Sequence, residues 1–454
     1  MGWNGVRQGI LLSLLTAAQL LSSFGIQWYT VVRLGAGTDT DALYAGATFL
    51  QLFSAVVMEP LSFVLVPLLS ARQEHERRLL AWPLFLGIGS CFAAAALVSC
   101  GVAPYLVPAM VPGFSDASLQ LTVDLARIQL AGLVGVACFT VLSALYHARN
   151  QFLWTAISLL LCSILGWCVL VVGLSQGGVR LAAWVQVFIC TAPALLLLKG
   201  LGGWSRGSSD VSAEFFRELR TRMRPLLLSA AYVRTGFVVD RFLTSFLASG
   251  SLVILELTWR VLAAVVRVFN QGLVTPVVPT LAKLAQAGTW GEFVRLCRAR
   301  LVWMAGLSAL ALAGLSAVVI LGQSIGSWAG GQSGQGGLTA DAIATLRMTL
   351  FACAGVLLCG GINYVLVNAF YAEGEMGIPA KVEATASTVG LVVKGLGFLM
   401  GGLIGIAVAI SLQYALTSLL LGSALYRRVM PRLCESPSEP VGPCLAVEPS
   451  ERPS

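Results

Sequence analysis

Charge is scarce in this chain of 454 residues: Asp, Glu, Lys and Arg together make up only 11%, against about 25% in an ordinary globular domain. With 57% hydrophobic residues and a mean hydropathy of +0.84, that scarcity excludes a water-soluble domain. Histidine is nearly missing, with only His75 and His147, so no Cys/His/Asp cluster has zinc spacing. No P-loop and no G-x-S-x-G occurs either. No catalytic residue, no metal ligand and no bound cofactor is therefore assigned. The eleven cysteines form no paired framework. Eight of them (Cys91, Cys100, Cys138, Cys162, Cys168, Cys190, Cys353 and Cys359) fall in apolar runs, where cysteine behaves as a small hydrophobe. The first apolar run, Gly9–Val32, is too long for a signal-peptide core and lacks an A-x-A cleavage site, so it reads as a spanning helix.

What is present is a series of long apolar segments. Twelve candidate spans cover approximately 9–32, 41–69, 80–107, 123–146, 152–174, 179–198, 225–248, 251–281, 301–321, 342–371, 379–400 and 404–426. The fold class is an all-α polytopic membrane protein. Lys and Arg set its orientation: connections on one side hold twenty of them, those on the other only Arg33 and Arg180. Basic residues collect on the cytoplasmic side, which puts both termini inside. The formal charge of +8 thus marks cytoplasmic loops and gives no sign of nucleic acid. The organisation reads as an N-terminal lobe (1–200, helices one to six), a basic cytoplasmic linker (201–224), a C-terminal lobe (225–428, helices seven to twelve) and a disordered cytoplasmic tail (429–454). Gly330–Gly337 is a flexible outside loop.

The two halves repeat. Leu43–Arg72 and Leu255–Leu284 align without a gap, placing Pro67 on Pro279, Leu69 on Leu281 and Glu59 on Gln271. Tyr146-His147-Ala148-Arg149-Asn150 precedes helix five as Tyr371-Ala372-Glu373-Gly374-Glu375 precedes helix eleven. The pairs Gly177–Gly178 and Gly401–Gly402 introduce helices six and twelve. With six helices per copy, equivalent helices run in the same direction. The lobes are then related by a pseudo-twofold axis along the membrane normal, a transporter architecture.

The copies differ in their charge. Tyr44 aligns with Glu256, Thr48 with Arg260 and Ala55 with Arg267. The second lobe carries Arg234, Asp240, Arg241, Glu256, Arg260, Arg267 and Lys394 within spans, and the first chiefly Glu59. A charge at the bilayer centre costs at least about 2.5–3.5 kcal/mol, so these residues need partners or a hydrated cavity. Glu256, Arg260 and Arg267 share one stripe of helix eight. Arg260 lies roughly 14 Å from the start of that helix, near the midplane of a core about 30 Å thick, and Arg234 reaches a similar depth. Two guanidiniums there suit a phosphate or diphosphate. The alternative is internal neutralisation, Glu256 pairing with Arg260 and Asp240 with a neighbouring arginine. Arg267 could equally snorkel to the interface, whereas Arg127, Arg347 and Lys394 read as anchors at outer helix ends. Glu59, beside the helix-kinking Pro60, reads as a gate or protonatable group. Gln19, Gln27, Gln51, Asn270, Gln271, Asn363 and Asn368 suit a cavity lining or interhelical hydrogen bonds.

Several motifs together resemble one family. They are RLGAGTDTDALYA after helix one, MEP and VPLLS in helix two, VVDRFLTSFLASGS across helices seven and eight, TWR at 258–260, and NAFYAEGEMGIPA before helix eleven. In this order they resemble the MurJ-type lipid II flippases of the multidrug/oligosaccharidyl-lipid/polysaccharide exporter superfamily. The resemblance implies two six-helix lobes around a cationic cavity in a bacterial inner membrane. It implies a flippase that moves an undecaprenyl-diphosphate-linked glycan, the peptidoglycan precursor of cell-wall synthesis, to the outer leaflet by alternating access. By the same resemblance Arg260 is the cavity arginine of helix eight; Arg234, Arg241 and Arg267, read from their own positions in the spans, are candidates to help it hold the diphosphate. Asp41, Glu59, Asp240 and Glu256 are candidates for gating or cation coupling, Asp240 matching a cation-coordinating carboxylate of some members. Coupling to Na+, H+ or the membrane potential stays open, and cell-wall assembly proteins and membrane lipids are the implied partners. The sequence departs from the family in lacking its arginines in helix one and mid-helix two, where Leu20, Ile26 and Ser54–Ala55 stand. It reads as twelve helices where the family commonly has fourteen. Alternatives are a polysaccharide or O-antigen repeat-unit flippase, a cation-coupled drug antiporter, and a non-transporting scaffold for lipid-linked precursors. A membrane-embedded glycosyl- or acyltransferase would need a polar catalytic cluster that the sequence lacks.

Overall fold

Apolar runs of this length leave the backbone one way to satisfy its polar groups in lipid, which is helix. The computed structural model describes residues 3–203, 209–270, 274, 277–329, 339–375 and 377–435. Every extended regular element among them is helical. In chain order these are α1 (Trp3–Leu34), α2 (Thr38–Phe53), a π-helical turn (Ser54–Met58), α3 (Glu59–Ser70), α4 (Glu74–Met110), α5 (Asp116–Ala148), α6 (Phe152–Leu197), α7 (Ser209–Ser245), α8 (Ser251–Phe269), α9 (Val278–Ala287), α10 (Trp290–Ala329), α11 (Ala340–Ala352), α12 (Ala354–Ala372) and α13 (Gly377–Glu435). Gln271, Arg206, the Gly330–Gly337 loop and the tail beyond residue 435 lie outside the described residues.

Seven continuous helical stretches are long and apolar enough to cross a membrane. Two of them, in α6 and α13, hold two crossings each. Each turns at one residue, Gly178 (φ 53°, ψ −148°) and Gly402 (φ 53°, ψ −127°), a backbone region that glycine enters without a Cβ penalty. Across the second corner Gly397 and Gly405 approach so closely that neither backbone leaves room for a Cβ on the other. The glycine pairs read in the sequence as entries to helices six and twelve are these corners. Adding α1, α7 and α8, which coincide with sequence-read spans, gives twelve crossings among the described residues. Leu97, Val172, Leu399 and Met400 are strongly exposed, as residues facing acyl chains must be.

The two ends of the bundle differ. At one end Arg77 donates to the carbonyl of Ala148 (2.6 Å), Arg149 to that of Gly200 (2.8 Å), and Arg72 pairs with Glu218 (3.7 Å). These contacts draw the basic turns together. At the other end the Gly113 N–H donates to the Ser245 hydroxyl (3.2 Å), and Arg180 meets Asp124 (3.7 Å). We call the basic end inner and the other outer.

Two helices differ from their sequence reading. Helix seven was expected to begin at 225 after a linker, but α7 runs unbroken from Ser209. Phe215, Leu219 and Met223, spaced four apart, form a buried stripe against the first half of the chain. Helix eight was expected to reach 281: α8 runs to Phe269, Asn270 and Val274 are π-helical, and α9 starts at Val278 with Pro279 in its first turn, where a missing N–H is harmless. Residues 271–273 and 275–276 between them lie outside the described ones.

Candidate functional site

The site grows out of the way α2 and α8 diverge. Ser251–Thr258 are all buried, Arg260 is half-buried, and Arg267 is exposed. Along α2 and α3 the same gradient runs from buried Thr40–Thr48, through half-buried Gln51–Val57, to exposed Glu59. The helices therefore touch near the outer end and part toward the inner one. Tyr44 and Ala45 share one apolar cluster with Leu252, Val253, Ile254, Leu255 and Leu257.

Asp41 ties that outer contact. Its carboxylate, buried at the start of α2, accepts hydrogen bonds from the Gly250 N–H (2.5 Å) and the Val253 N–H (2.9 Å). Both donors belong to the first turn of α8, whose orphan amides and positive dipole end favour an anion. Gly250 has φ 90°, and a Cβ there would lie 2.7 Å from the Ala36 carbonyl. A residue of one half thus caps a helix of the other.

One turn further in lies a charged triad. Glu256, with 3% of its side chain exposed, accepts from Arg241 of α7 and from Nε of Arg260 on its own helix (2.5 Å). The Arg260 pairing is the i, i+4 contact read in the sequence; Arg241 is the partner it did not name. Arg241 also donates from Nε to the Thr48 hydroxyl (3.4 Å) and from its terminal nitrogen to Oε1 of Gln51 (3.5 Å), both on α2. The Phe237 ring lies 3.7 Å from its guanidinium carbon. Two arginines on one carboxylate leave a net positive charge, and the outcome falls on Arg260. Its guanidinium stays a quarter exposed, lies 5.7 Å from the centre of the Tyr44 ring and has no carboxylate besides Glu256 among the described residues.

Arg241 is a correction. It was grouped with the diphosphate arginines, but it is 3% exposed and spent on Glu256, Thr48 and Gln51. Its place is behind Arg260, where it lets a buried carboxylate hold a second arginine without an unpaired charge. Glu256, expected at a gate or a cation, is likewise a buried holder of arginines.

Glu59 and Arg234 meet across the halves at 3.1 Å, both about half exposed. Glu383, which the sequence did not single out, also interacts electrostatically with Arg234. Arg267 stands exposed on the inner part of the Arg260 stripe. Among these described residues Arg234, Arg260 and Arg267 outnumber Glu59 and Glu383 by one charge. Asp240 does not face this cleft as a free carboxylate: Nζ of Lys394 on α13 lies 2.8 and 3.0 Å from its two oxygens. Lys394, read as an anchor at an outer end, is 4% exposed. Arg127 donates to the Cys100 carbonyl (3.2 Å). Among the described residues no group of His, Cys, Asp and Glu is arranged to hold a metal ion.

Glu59 begins a helix for a local reason. Proline has no N–H and its ring collides with the carbonyl four residues back. Ahead of Pro60 the helix widens into the Ser54–Met58 π turn, and the Glu59 N–H bonds back to the Ser54 carbonyl. π turns inside helices recur at functional sites. This one occupies the positions where the sequence lacks the mid-helix-two arginine.

Residues 31–435 of the chain match the family model of the lipid II flippase MurJ. Among solved structures, a lipid II flippase MurJ in an inward closed conformation superposes with a TM-score of 0.77, covering 93% of this chain and 90% of that one at 16% identity. An inward-facing multidrug resistance transporter of the MATE family gives 0.73 at 13% identity, covering 94% and 96%. An outward-facing MATE transporter gives 0.61 at 13% identity over the same shares. At such identities the likeness is one of fold.

Proposed function

The chain belongs to the MurJ lipid II flippase family, and from that premise we propose that it carries a polyprenyl-diphosphate-linked glycan, a lipid II-like precursor, from the inner to the outer leaflet of a bacterial cytoplasmic membrane. The observation that carries this reading is Arg260: a guanidinium one quarter exposed where α2 and α8 diverge, held by a buried carboxylate already balanced by Arg241. An anionic diphosphate entering from the inner side meets charge-assisted donors there without first breaking a neutral pair. Arg234 and Arg267 line its approach, and the excess positive charge disfavours the cationic drugs of the antiporter alternative. The excess of basic residues in the inner turns supports a cytoplasmic side for the wide end of the cleft and for both chain termini.

Transport then needs the cleft to close inside and open outside around the bound diphosphate. Glu59–Arg234 and the Asp41 cap are two of the cross-half contacts that such rocking would remake. The test is flipping of a fluorescent or enzymatically detected lipid diphosphate in proteoliposomes. Arg260→Ala abolishes flipping at unchanged incorporation, and Arg260→Lys, which keeps the charge but loses the planar fork, retains a fraction. Full flipping by Arg260→Ala would contradict the assignment.

A further inference from the structure

A buried carboxylate inside a transporter lobe is the usual candidate for binding a coupling cation, since an unpaired anion at that depth must be neutralised. Asp240 on α7 is such a group, with its side chain only 14% exposed. In this chain the neutralising cation is covalent. Lys394 comes from the first limb of α13; its ammonium donates to Oδ2 of Asp240 at 3.0 Å and lies 2.8 Å from Oδ1, which accepts no hydrogen bond among the described residues. The pair sits within the second half. Cys353 and Tyr414 are in electrostatic reach of Asp240, and Tyr414 is also in reach of Arg234 and Glu383.

The surroundings are shaped for the lysine. Gly236 lies one helical turn before Asp240, and a Cβ at Gly236 would stand 3.5 Å from the ammonium nitrogen. The first half lacks the arrangement. Leu170 precedes the Gly178 corner by eight residues, as Lys394 precedes Gly402. It is fully buried with Ile26 and Leu174 in an apolar cluster. The scaffold therefore accepts a hydrophobe at this position, and the ammonium answers Asp240 rather than the helix packing.

We propose that Lys394 is a tethered counter-ion, occupying the place at Asp240 that an exchangeable monovalent cation would otherwise fill, so that the second lobe is independent of Na+ at this site. The physical reason is charge balance. One carboxylate offsets one cation, and a second cation on the same oxygens would stand beside the ammonium with little solvent to screen their repulsion. Removing the ammonium reverses the situation: Asp240 becomes a buried, unpaired carboxylate in a space of the right size for a small cation. The inference does not depend on which lipid is carried, and its test reads cation binding without any substrate.

The experiment is thermal unfolding of the purified full chain in detergent, titrated with NaCl against choline chloride at constant ionic strength. Wild type shows the same Tm in both salts. Lys394→Ala unfolds at a lower temperature in choline, its Tm climbs to a plateau with Na+, and methylammonium restores it in place of the lost side chain. Adding Asp240→Asn to Lys394→Ala removes both responses. A wild-type Tm that rises saturably with Na+ and loses that rise in Asp240→Asn would overturn the proposal. So would a Lys394→Ala protein, or its conservative counterpart Lys394→Gln, that unfolds identically with Na+, methylammonium and choline. If neither lysine variant folds in choline, recovery of folded protein when purified in Na+ or methylammonium supports the proposal, and failure in all three overturns it.

Discussion

Glu256 is the residue on which the site turns. Its carboxylate is buried and holds two guanidiniums from different helices, one reaching across to α2 and one facing the cleft. Buried ion pairs are poor evidence of net stability, but breaking one leaves an uncompensated charge and costs about 3–5 kcal/mol. Glu256→Gln is therefore expected to lower the Tm by more than Arg267→Ala, whose side chain is exposed, and to free Arg241 as well as Arg260. Thermal unfolding of the two variants side by side checks this, and equal Tm values would count against a buried triad. The charge stripe Glu256, Arg260 and Arg267 was legible in the sequence because it obeys helical spacing. Arg241 on Glu256 and Lys394 on Asp240 were not, since they join residues 15 and 154 positions apart whose meeting depends on how helices pack. A lone Lys394 in an apolar run carries no mark of the helix it will face.

At the scale of the element, irregularities separate the crossings and aim the site. The π turn ahead of Pro60 sets where Glu59 begins its helix, and the glycine corners turn α6 and α13 back without a loop. Gly178 isolates the effect of strain, because a Cβ there would meet nothing within 4 Å while φ is +53°. Gly178→Ala should cost about 1–3 kcal/mol from backbone conformation alone. Gly101→Ala, equally free of neighbours but inside α4, should stabilise by up to about 1 kcal/mol. A pair of thermal or denaturant unfolding curves decides it, and a harmless Gly178→Ala would refute the corner. The glycine pairs and the proline were visible in the sequence as punctuation. The run of α7 from Ser209 was obscured by its basic residues, which mask the Phe215, Leu219 and Met223 stripe that holds it down.

For the whole molecule, α2 and α8 of the two halves meet at the outer end and diverge toward the inner one, where α7 still packs on the first half. Composition and the repeat gave the number of crossings, and the family match over residues 31–435 gives the class of transporter. The closed outer end came only from the structure: Asp41 reaches across to the amides of Gly250 and Val253, an interaction of side chain with backbone that no pattern of residue types announces. The sealed end and the wide end together make Arg260 the deepest partly exposed cation of the inward cleft. Binding is the direct consequence. The decisive measurement is the Kd of the purified protein for a polyprenyl diphosphate, compared between wild type and Arg260→Ala at matched thermal stability. Loss of a charge-assisted, partly desolvated contact predicts roughly 10–100-fold weaker binding in Arg260→Ala, and unchanged affinity would contradict the placement of the diphosphate in this cleft.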